Sequence, residues 1–86
     1  MAHAEGSLSQ WLEDNESDEY SVVLWTSGGV FRGFLAKGSV GTDYLTLKLA
    51  DSKTSIVRIR LDQISAATRM WDLENKFQAF VNASRW

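Results

Sequence analysis

A chain of 86 residues with no cysteine and a single histidine, His3, is one domain, and these counts exclude disulfide stapling, thiol catalysis and a zinc site built from Cys and His. A hydrophobic content of 44% and a charged content of 23% are those of an ordinary globular domain, and no apolar run reaches the roughly 20 residues that span a bilayer. The net charge of −2 is unevenly divided: residues 1–19 carry six acids and no Lys or Arg, whereas residues 20–71 carry seven bases against three acids. That basic middle suits either an anionic partner or a solvated face.

The chain opens without the basic and apolar regions of a signal peptide, so a cytoplasmic location is expected. In "SLSQWLEDNESD", Leu8, Trp11 and Leu12 recur at i, i+3 and i+4, with Ser7 or Ser9 available as a cap, and predict an amphipathic helix over about 8–16. From Tyr20 the period becomes two. "YSVVLWT" reads as a strand buried at least partly on both sides, Gly28 and Gly29 supply a tight turn, and "VFRGFLAK" resumes the alternation with Gly33 at a bend. "YLTLKLA" then places Leu45, Leu47 and Leu49 inward and Tyr44, Thr46 and Lys48 outward, and the turn "DSKT" leads to "SIVRIRL" and a fifth strand, "QISAATR".

Five short strands with tight turns predict a mainly β fold, a small and strongly bent antiparallel barrel over about 20–69, within a single domain spanning 1–86. Beyond Arg69, Met70, Leu73, Phe77, Phe80 and Val81 return to helical spacing and predict a C-terminal helix over about 70–83, whose apolar face needs a cover.

Little of this points to catalysis. The one histidine lies near the N-terminus, away from any paired nucleophile, and Glu13 and Asp14 are helix neighbours that point apart, so no catalytic residue is assigned and the chain is expected not to be an enzyme. "SGG" lacks the lysine and following helix of a phosphate-binding loop, and "GSVG" at 38–41 joins strands rather than helices, so both are read as turns. Neither a cofactor nor a metal site is predicted.

Taken together, a helix followed by "VVLWTSGGVFRGFLAKGSVGTDYLTLKL" and "IVRIRLDQISAAT" resembles the Sm-like family, which includes the eukaryotic LSm proteins and bacterial Hfq. Gly28-Gly29 stands at the turn of the family's first motif, Gly33-Phe34-Leu35 matches its Gly-x-Leu, and "IRLDQI" matches the second motif at Ile59, Arg60 and Ile64, with Leu61 in place of the usual glycine. The resemblance covers about residues 8–69.

The resemblance implies a homo-oligomeric ring closed by pairing the fourth strand of one subunit with the fifth of the next, and single-stranded RNA held at its pore. By position it assigns Asp43 and Tyr44 before the third strand, and Arg60 with its neighbour Arg58 in the fourth, to RNA binding. Asp43 occupies the stacking position and Tyr44 the usual asparagine, so a one-residue shift would make Tyr44 the stacker. Each also has a plainer reading: Tyr44 as an exposed strand residue, Arg58 and Arg60 as solvated cross-strand charge, Arg32 and Lys37 as surface cations. The alternative function is a non-enzymatic protein-interaction module on the same barrel, with a protein partner at the C-terminal helix; a third reading is a monomeric SH3-like barrel. No membrane partner is expected.

Overall fold

A computed structural model describes residues 7–51, 55–76 and 78–81. His3, most of the "DSKT" turn and Phe77 of the C-terminal stripe lie outside these residues. The first element is α1 (Leu8–Asp14), capped by Ser7, whose side chain accepts the Gln10 amide at 3.1 Å and so satisfies a donor that a helix start leaves unpaired. Leu8 and Leu12, one turn apart, are buried and Trp11 packs beside them.

Five strands follow: β1 (Ser17–Thr26), β2 (Gly29–Leu35), β3 (Tyr44–Leu49), β4 (Ile56–Arg60) and β5 (Ile64–Arg69), with a 3₁₀ turn at Leu61–Gln63 between the last two. After them come α2 (Met70–Lys76) and a short β6 (Phe80–Val81). All the strands join one antiparallel sheet in the order β4-β3-β2-β1-β5-β6. The fold is mainly β with two helices, but the sheet has six strands where five are predicted, and its ends are β4 and β6.

Alternation sorts the side chains to two faces. Val22, Leu24, Leu35, Leu45, Leu47, Ile59 and Ala67 turn inward and meet Leu8 and Leu12 of α1, with Leu61 and Ile64 closing the end of the core. Burial of each large aliphatic side chain contributes about 1.5–3 kcal/mol, which makes this face the main source of stability. Gly33 lies in it for a steric reason: a Cβ there would run into the Lys48 carbonyl oxygen and come within 3.0 Å of the Leu47 side chain. Only glycine lets β3 cross β2 this closely. At the β1–β2 turn it is Gly29, at φ 134°, that takes the positive φ.

The C-terminal helix predicted over 70–83 is corrected. It ends at Lys76, and Phe80 and Val81 pair with Ala67 and Ala66 of β5. Three interactions favour the strand over a longer helix. The hydroxyl of Thr68, which is 2% exposed, donates to the Gln78 carbonyl at 2.5 Å. Phe80 turns inward to lie 6.2 Å from the Trp11 ring, and the edge of β5 offers unpaired backbone groups. A helix of two turns has little cooperativity to set against these. Among the described residues no helix is long and apolar enough to cross a membrane.

Candidate functional site

β3 and β4 bring Tyr44, Arg58 and Arg60 onto one face. Tyr44 and Arg60 are direct cross-strand partners, and Thr46 pairs with Arg58 one outward row further along. From that diagonal position the Arg58 guanidinium carbon lies 5.6 Å from the centroid of the Tyr44 ring, within cation–π range. The Tyr44 side chain is accessible, at 45% exposure.

Asp43, the fourth predicted site residue, sits in the loop before β3, and its carbonyl accepts the Leu61 amide at 2.9 Å. That loop is held from both sides. Glu16, just before β1, accepts the amides of Gly38 and Val40, each at 3.0 Å, through its two carboxylate oxygens. On the other side the Gly41 amide donates to the Tyr44 carbonyl at 2.8 Å and the Thr46 amide to the Ser39 carbonyl at 3.1 Å. Gly38 makes the turn at φ 84°, where a side chain would be strained.

Arg60 already has a counter-ion. Its Nη2 lies 2.9 Å from Asp62 Oδ2 and its Nε donates to Oδ1 at 3.2 Å, a two-point contact across the start of the 3₁₀ turn. The Asp62 hydrogen bond and charge, then the nearby Tyr44 and Asp43, raise the Arg60 pKa above its ordinary value. Arg58, by contrast, has no carboxylate partner among the described residues. Thr42, Asp43, Arg60, Leu61 and Asp62 line a cleft of about 150 Å³. This is below the ~300–1,000 Å³ of enclosed small-molecule sites, so the surface suits a ligand that lies across it.

Sequence reasoning missed the pairing of Arg60 with Asp62. Its only signal was the Arg-x-Asp spacing at a strand end, and that spacing joins the two side chains only because the chain turns there. Also missed was Lys48 as a neighbour of the site; alternation placed it outward, but not beside β4. No family model, curated protein or solved structure matches this chain.

Proposed function

We propose that this chain binds single-stranded RNA at the β3–β4 end of its sheet, with a base stacked on Tyr44 and the phosphate backbone drawn by Arg58 and Arg60, and that it does so as an Sm-like oligomer with a strongly bent sheet. The observation that carries the reading is the placement of Arg58 and Arg60 around one exposed aromatic ring. Stacking on such a ring is worth about 1–3 kcal/mol per base, tolerates any base, and is reinforced by arginine. Asp62 tempers the site, because an incoming phosphate competes with it for Arg60.

Assembly would use the two sheet edges. Among the described residues, β4 has β3 on one side only, and β5 has β6 on its outer side at the Ala66 and Ala67 positions. Ring closure by β4–β5 pairing therefore requires β6 to leave its place.

A second reading, a protein-interaction module, draws support from the C-terminal region. Trp71 and Val81 are 54% and 56% exposed, and Val81 lines an apolar groove with Trp25, Ser65, Ala66 and Ala79. Fluorescence anisotropy with labelled U-rich and A-rich single-stranded RNA at low and moderate salt separates the two readings. Saturable, salt-sensitive binding supports the first, and no binding by folded protein favours the second.

A further inference from the structure

The outward rows of β2, β3 and β4 carry a regular pattern beyond the residues around Tyr44. The first row is Tyr44 with Arg60, the second Thr46 with Arg58, and the third Phe34, Lys48 and Ile56 side by side. Arg32, two residues before Phe34, faces the same way in the next row, where its carbonyl accepts the Ala50 amide at 3.0 Å. Each row thus holds one cation, Arg60, Arg58, Lys48 and Arg32 in turn, and all four are exposed. The cations step diagonally across the sheet from β4 to β2.

β2, β3 and β4 contain no Asp or Glu; Asp43, Asp51 and Asp62 lie in the connections, and Asp18 and Glu19 lie in β1, which pairs with β2. Asp62 flanks the track at its Arg60 end and Asp51 at its Arg32 end, and Arg58 and Lys48 between them form no ion pair among the described residues. Successive rows are two strand residues apart, about 6.7 Å, so four rows extend over about 20 Å. The third row adds a second aromatic, the half-buried Phe34.

We infer that this diagonal is a track for the phosphates of an extended single-stranded RNA, which leaves the Tyr44 position and runs over Arg58 and Lys48 toward Arg32. The inference rests on the proposed RNA-binding reading and extends it from one stacked base to about four nucleotides. A positive groove that follows the backbone, with aromatics beneath it, is the physical pattern of sequence-tolerant single-strand binding. Lys48 is the residue on which the inference depends most, because it is the only cation on β3 and joins the β4 pair to Arg32.

The experiment measures anisotropy of labelled U-rich RNA as a function of salt, for the wild type, Lys48→Ala, Lys48→Gln, Arg32→Ala and Tyr44→Ala, with inorganic polyphosphate as a competitor that has phosphates and no bases. The track predicts that polyphosphate competes, and that each loss of a cation lowers the magnitude of the salt slope by about 0.7 while Tyr44→Ala leaves polyphosphate binding unchanged. Wild-type RNA affinity and slope in all three cation variants would overturn the track and leave the stacking site standing. Polyphosphate bound as tightly as RNA, with no effect of Tyr44→Ala on either, would remove stacking and leave the track. Failure of both ligands to bind folded wild-type protein at low salt would overturn both.

Discussion

Arg60 and Asp62 are joined by two hydrogen bonds across the end of β4, so the cross-strand partner of the exposed Tyr44 faces a carboxylate before any ligand arrives. Both side chains are more than half exposed, at 58% and 60%, and solvent screening makes the pair a weak stabiliser of the fold. Its effect falls on binding. Asp62→Asn removes a negative charge beside the site and releases Arg60 toward phosphate, and is expected to tighten RNA binding severalfold with little change in thermal stability. Titration of the variant against labelled RNA checks this, and unchanged or weaker binding would place Arg60 outside the interface.

Gly33 and Gly29 are expected to fail for different reasons. Gly33→Ala drives a methyl group into the Lys48 carbonyl, and since this is backbone it cannot turn away. A loss of at least about 2 kcal/mol is expected, or a chain that does not fold. Gly29→Ala has open space around it but an unfavourable φ, and is expected to cost about 1–3 kcal/mol. Urea denaturation of both variants measures the difference; a Gly33→Ala protein as stable as the wild type would mean that β2 and β3 are not packed this closely.

The strands and most of their facing were legible because alternation runs from Val22 to Leu35 and through β3 and β4. Tyr20, expected on the face of Val22 and Leu24, is instead exposed beside a register shift. Gly33, expected at a bend, stands where β3 approaches β2 too closely for a side chain. β6 was not legible. Phe80 and Val81 satisfy helical spacing from Met70 and Leu73 as well as they satisfy a two-residue strand, and the choice is made by Trp11, about seventy residues earlier, and by the open edge of β5. Tyr44, Arg58 and Arg60 could be nominated individually from sequence. Their convergence depends on the β3–β4 register, which pairs Tyr44 with Arg60, and the neutralising Asp62 depends on the 3₁₀ turn.

The β6 contact leads to a prediction about assembly. Removing residues 79–86 clears the outer edge of β5, so the truncated chain is expected to assemble at lower concentration than the full chain. Light scattering over a concentration series measures the mass. A truncated protein that stays at the mass of one chain while folded would argue against edge-to-edge ring formation.

Acid is expected to loosen the α2 end of the molecule first. Arg69 Nε lies 2.8 Å from Asp72 Oδ2, and this hydrogen bond is the main cause that holds the Asp72 carboxyl below its ordinary pKa, with burial opposing it and the Arg69 charge adding to it. A carboxyl with a depressed folded pKa stabilises the fold above its unfolded pKa, and that stability is lost as pH falls through the folded value. The loss is therefore expected below about pH 4. Fluorescence dominated by the neighbouring Trp71 in a variant lacking the other tryptophans follows the change. Asp72→Asn is expected to flatten this part of the acid profile, and an unaltered profile would show that the ion pair does not anchor α2.

The central claim is that RNA stacks on Tyr44, and the most direct measurement is the affinity of the wild type and Tyr44→Ala for one U-rich single-stranded RNA at fixed salt, with circular dichroism and mass recorded on the same samples. A loss of about 1–3 kcal/mol, or roughly 5- to 150-fold in Kd, with fold and mass unchanged is the expected result. Equal affinity of the two proteins would contradict it.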